Sequence, residues 1–90
     1  MEKDIEANVC AYAEKRGLLV RKYKTPARRN TPDRIFFAPT GTVFMIEFKD
    51  TGKKPNAGQL REASIYRDFG LDVFFVDSIT GGRAVVDSYT

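Results

Sequence analysis

Asp33, which follows Thr31-Pro32, and the triplet Glu47-Phe48-Lys49 supply two carboxylates and an amine separated by one short connection. In the run Val43-Phe44-Met45-Ile46-Glu47-Phe48-Lys49, a strand period of two sends Phe44, Ile46 and Phe48 to one face. Val43, Met45, Glu47 and Lys49 then share the other. An acid and an amine on a strand this apolar are costly to bury unpaired, so the pattern predicts that they border a cleft or hold a cation. Phosphodiester hydrolysis uses such a set: carboxylates hold a hard cation, Mg²⁺ or Mn²⁺, and leave positions open for water and phosphate. A lysine on the same face can act on the attacking water and offset charge in the transition state. Asp33 sits at the mouth of the strand Arg34-Ile35-Phe36-Phe37, where the chain can splay toward Glu47 of a paired strand.

The 90 residues carry a net charge of +3, distributed unevenly. From Lys15 to Arg34 there are eight Lys or Arg and one acid, whereas from Leu71 to Thr90 there are one Arg and three Asp. The local basic segment predicts phosphate contacts from Arg21, Lys22, Lys24, Arg28, Arg29 and Arg34, with Lys53 and Lys54 forming a second basic loop. No histidine is present, which removes histidine-metal nucleases, Ser-His-Asp hydrolases and histidine-ligated zinc proteases. Cys10 has no partner for an intrachain disulfide and reads as a small apolar residue of the first helix, in a reducing compartment. No apolar run approaches membrane-spanning length, and a cytosolic protein is expected.

Positioning these groups requires a small α/β domain spanning residues 1–90. Ile5, Val9, Tyr12 and Ala13 predict a helix over Lys3–Lys15, stopped by Gly17. Leu18–Lys24 reads as a strand, Thr25–Thr31 as a basic loop, and Arg34–Phe37 with Val43–Lys49 as a hairpin around Ala38-Pro39-Thr40-Gly41. A second helix over Ala57–Phe69 ends at Gly70 and is expected to turn Leu60, Ala63, Tyr66 and Phe69 inward. Val73–Val76 reads as a buried strand, and Arg83–Asp87, after Gly81-Gly82, as an edge strand. The predicted order is αβββαββ, a mixed sheet flanked by helices. Phe74, Phe75, Val85, Val86 and Tyr89 offer more apolar strand surface than one small core covers, which predicts a homodimer joined through the last strand and the second helix.

On Pro32-Asp33 and Glu47-x-Lys49, the chain resembles the PD-(D/E)xK nucleases and, more closely, their VRR-NUC (virus-type replication and repair nuclease) branch. The likeness includes Glu6 on the first helix and Gln59 at the start of the second. Asn30 stands where the family often has glycine two residues before the proline, and asparagine tolerates the left-handed backbone such a position favours. No Val-Arg-Arg triplet occurs. The resemblance implies a restriction-endonuclease-like core. It also implies metal ligation by Asp33, Glu47 and the Phe48 carbonyl, Lys49 as catalytic lysine, and Glu6 and Gln59 completing the site. The function expected is a Mg²⁺-dependent endonuclease that recognises DNA structure, with four-way junctions as one substrate. A non-catalytic nucleic-acid-binding module, a flap or nick nuclease and an RNA-processing nuclease are the alternatives that the sequence leaves open.

Overall fold

The computed structural model describes all 90 residues. Its elements are α1 (Glu2–Lys15), β1 (Leu19–Lys22), β2 (Arg34–Phe37), β3 (Val43–Phe48), α2 (Ala57–Asp68), β4 (Asp72–Val76) and α3 (Ile79–Asp87). The four strands form one sheet in the order β1-β2-β3-β4. β1, β2 and β3 run antiparallel in succession, and β4 adds parallel to β3 after the α2 crossover. This is the mixed α/β sheet that the sequence predicts.

The alternation along β3 divides the molecule. Phe44, Ile46 and Phe48 are buried in the larger core with Ile5, Val9 and Ala13 of α1 and Val86 of α3. Phe44 stacks on Phe36 at 4.8 Å and on Tyr89 at 4.1 Å between ring centroids. Full burial of Phe36, Phe44 and Phe48 contributes about 1.5–3 kcal/mol each. Cys10 packs in the same core, and burial raises its thiol to a pKa of about 11, so it acts as a small apolar residue. On the opposite face Met45, Ala63 and Val73 form a second, smaller core beneath α2.

Two expectations are corrected. Residues 83–87 belong to the helix α3, not to an edge strand, so the order is αβββαβα. Ser78 caps this helix by accepting a hydrogen bond from the Gly81 N–H at 3.0 Å. Gly82 is no turn residue: its missing side chain lets α3 approach α1, where an added Cβ would lie 2.4 Å from Val9 Cγ2. Phe74, Val85, Val86 and Tyr89 are thereby used within the chain, against the larger core. The second correction concerns α2, whose inward stripe is Gln59, Glu62, Ala63 and Tyr66. Leu60 and Phe69 instead point outward, 49% and 86% exposed.

Substituting Gly82→Ala tests the seat of α3. Alanine adds about 1 kcal/mol of helix propensity, but the methyl meets a fully buried valine, and overpacking costs about 1–3 kcal/mol. We expect net destabilisation, read as a lower urea midpoint. An unchanged or raised midpoint would contradict this α1–α3 packing.

A candidate metal centre at the splayed end of a hairpin

The β2–β3 register sets Arg34 opposite Ile46. Extended by one residue, it sets Asp33 opposite Glu47 on the α2 side of the sheet. There the strands part. Asp33 still donates its N–H to the Ile46 carbonyl at 3.1 Å, but its carboxylate Oδ2 accepts the Phe48 N–H at 2.8 Å in place of a backbone carbonyl. A residue's N–H and C=O point to the same side of an extended strand, so the Phe48 carbonyl borders the gap that Asp33 occupies. Asn30, at φ 64°, is the one non-glycine residue in the left-handed region, on the loop that delivers Asp33.

Glu47 is the buried end of the arrangement, 8% exposed. Its Oε2 accepts the Gln59 side-chain N–H at 2.9 Å, and Gln59 Oε1 accepts from Lys49 Nζ at 3.1 Å. The amide thus bridges acid and amine, and its orientation follows from chemistry: only the NH₂ can face a carboxylate and only the oxygen an ammonium. Gln59 is itself fixed by a reciprocal cap of α2. Asn56 Oδ1 accepts the Gln59 N–H at 2.8 Å, and Gln59 Oε1 accepts the Asn56 N–H at 3.0 Å.

Glu47 Oε1 is buried with no hydrogen-bond partner. Burial, with the nearby Asp33 carboxylate adding to it, raises the Glu47 carboxyl to about 8. Asp33 is raised too, chiefly by burial, with the Phe48 N–H opposing. An unsatisfied buried carboxylate oxygen beside a second carboxylate suits a hard cation, and an all-oxygen donor set favours Mg²⁺ or Mn²⁺. No three acidic or cysteine side chains converge, so Asp33 and Glu47 with the Phe48 carbonyl would be the protein's donors, and a hard cation's remaining positions would fall to water and phosphate.

Glu6 reaches the site less directly. It accepts from Arg34 Nε at 2.6 Å, so Arg34 is paired rather than free for phosphate. Both acids line a shallow cleft of about 250 Å³, formed by Glu6, Asp33, Lys22, Tyr23, Lys24 and Thr31 with Pro32. Lys22 and Lys24 therefore flank Asp33. Arg21 donates to the Val20 carbonyl, and Arg29, Lys53 and Lys54 are exposed. Arg28 is held by Glu62, at 3.0 and 2.8 Å.

Sequence reasoning missed Glu2, Asp50 and Glu62. The Glu2 N–H donates to Asp50 Oδ1, and burial and then Asp33 raise the Glu2 carboxyl. Its position one helical turn before Glu6 is the signal that could have found it. The Asn56-x-x-Gln59 box was equally readable.

The raised Glu47 carboxyl fixes a pH dependence. The folded chain retains a proton that the unfolded chain releases near pH 4.5, so the contribution of Glu47 to stability is full below that value and is lost as pH rises toward about 8. In EDTA, thermal melts should show Tm decreasing over this window, with a flatter profile for Glu47→Gln. A Tm that climbs from pH 5 to 8 would contradict the environment described for Glu47.

No protein-family model matches the chain. It is 35% identical over 77 residues to "Putative nuclease p44" of Acyrthosiphon pisum secondary endosymbiont phage 1, covering 86% of this chain and 83% of that protein. A solved structure described as "VRR_NUC domain" superposes with a TM-score of 0.90 at 31% identity, covering 99% of this chain and 97% of its own. A second, "VRR_NUC domain protein", gives a TM-score of 0.83 at 14% identity over 99% and 87%, a likeness of fold. With these likenesses running through the whole αβββαβα core, the chain belongs to the VRR-NUC family.

Proposed function

We propose that this chain is a metal-dependent endonuclease that hydrolyses DNA phosphodiester bonds. The observation that carries the reading is the buried Glu47 carboxylate, which has one oxygen without a partner and the other tied through Gln59 to Lys49, opposite Asp33. Asp33, Glu47 and the Phe48 carbonyl would hold Mg²⁺ or Mn²⁺. When bound, the ion supplies Lewis acidity at the scissile phosphate and lowers the pKa of a coordinated water. Lys49 Nζ spends one donor on Gln59 and keeps its others for the attacking water or a phosphate oxygen. Lys22 and Lys24 lead the strand toward Asp33 by charge alone, without reading bases.

The substrate class we favour is branched DNA, cut by a homodimer. A small domain has little surface for sequence readout, and paired cuts across a four-way junction need two sites that a twofold supplies. The support for self-association is the outer face of α2. Ile65 and Phe69 lie one turn apart and are 43% and 86% exposed, and Phe69 stands three residues before the sheet-edge strand β4. Light scattering at micromolar concentration should give twice the chain mass. A monomer that cuts junctions fully would overturn the dimer, and activity confined to flaps or nicks would replace the junction substrate.

Catalysis is tested with Asp33→Asn, Glu47→Gln and Lys49→Ala on a panel of junction, flap, nicked, linear and RNA substrates. The two carboxylate variants should lose cutting by about a hundredfold or more, and Lys49→Ala should lose most turnover while retaining more metal affinity. Cutting that persists in excess EDTA would sink the metal mechanism.

A further inference from the structure

Arg28 sits in the basic loop, yet two of its donors face inward. Its Nε and Nη2 make parallel bonds to Glu62 Oε1 and Oε2, at 3.0 and 2.8 Å, a bidentate geometry that fixes direction as well as distance. The Glu62 side chain is 7% exposed, and the Arg28 bonds hold its carboxyl below the usual range. Arg28 itself, half exposed, covers this carboxylate, so removing the guanidinium would uncover Glu62 and free it from the loop.

Among the strands, α2 runs close to β4 alone, so its rotation about its own axis is set largely by side chains. Three residues of its inward stripe are hydrogen-bonded across the molecule: Gln59 to Glu47 and Lys49, Glu62 to Arg28, and the Tyr66 hydroxyl to that of Tyr23 at 2.9 Å. Gln59 and Glu62 are three residues apart, on adjoining turns of one face. The loop also touches the first turn of α2, where a Cβ on Gly58 would meet Asn30 Nδ2 at 2.4 Å.

We propose that Arg28 is a positioning residue and not a phosphate ligand: through Glu62 it sets the rotation of α2 that keeps Gln59 between Glu47 and Lys49. The inference rests on the proposed role of Glu47 and Lys49. It separates Arg28 from its neighbour Arg29, whose exposed guanidinium remains available to DNA.

The test compares Arg28→Ala, Arg28→Lys, Glu62→Ala, their Ala double variant and the exchange Arg28→Glu with Glu62→Arg against Arg29→Ala. Arg28→Ala should lower kcat by about tenfold to a hundredfold, the scale of a small misplacement in a catalytic site, while DNA affinity and its salt slope stay at wild-type values. Arg29→Ala should do the reverse. Glu62→Ala should match Arg28→Ala, the double variant should be no worse, and the exchange should recover most of the rate. Arg28→Lys, which keeps the charge and the fold but not the fork, should fall between. The second readout needs no activity: the Gln59 side-chain amide resonances should shift in Arg28→Ala and Glu62→Ala and stay in place in Arg29→Ala. A wild-type chain that cuts no substrate would defeat the nuclease reading and leave this one to be judged by the spectra. Gln59 resonances unmoved in both alanine variants would overturn it, as would a weakened affinity with shallower salt slope at wild-type kcat.

Discussion

A carboxylate buried beside another carboxylate is the constraint around which this molecule is arranged. Glu47 is removed from water near the end of the inner strand β3, and one of its oxygens has no protein partner. Burying such a charge is unfavourable by several kcal/mol unless it is protonated, paired or coordinated. The fold surrounds it with groups that temper this cost without cancelling it. Gln59 donates to one oxygen and Lys49 stands behind Gln59, whereas the Asp33 carboxylate, held opposite by the Phe48 N–H, adds to the cost. The residual tension is confined to one atom, the unpartnered Glu47 Oε1.

That confinement explains why α2 is so polar on its inward side. A helix that packs only Ala63 and part of Tyr66 against the smaller core cannot be oriented by apolar burial alone. Directional bonds do the orienting instead, from the Asn56 cap at one end to Tyr66 near the other. On the other face the division of labour is opposite. There α1 and α3 cover a stack of aromatic rings with an apolar buried core, and the polar ties between the two helices, Tyr12 and Arg16 to Asp87 and Arg83 to Asn8, lie at the exposed rim.

Much of this was legible in the sequence because it is periodic or local. The alternation in Val43–Lys49 assigned both faces of β3 correctly, and the helical stripe Ile5, Val9 and Ala13 is buried as expected. The hairpin placed Asp33 and Glu47 together because its two strands are joined by a short turn. What failed depended on distant partners. Gly81-Gly82 reads as a turn by local preference, and only the approach of Val9 explains a glycine inside α3. The α2 stripe was misassigned because Leu60 and Phe69 suggest an apolar face, whereas Glu62 is buried through Arg28, 34 residues away. No spacing rule pairs those two. Gln59 carried its signal in the Asn56 box, but its contact with Glu47 follows from the crossover geometry.

The alternation in β3 also acts as a check on assembly. A slip of one residue against β2 would exchange the two faces, sending Phe44, Ile46 and Phe48 toward α2 and driving Glu47 and Lys49 into the aromatic stack. The two charges would displace apolar side chains there, and the rings would lose Phe36 and Tyr89. The misaligned hairpin is therefore penalised on both sides at once. The residues proposed for chemistry consequently serve as proofreading for the strand that carries them, because their charge makes the wrong alignment far less stable than the right one.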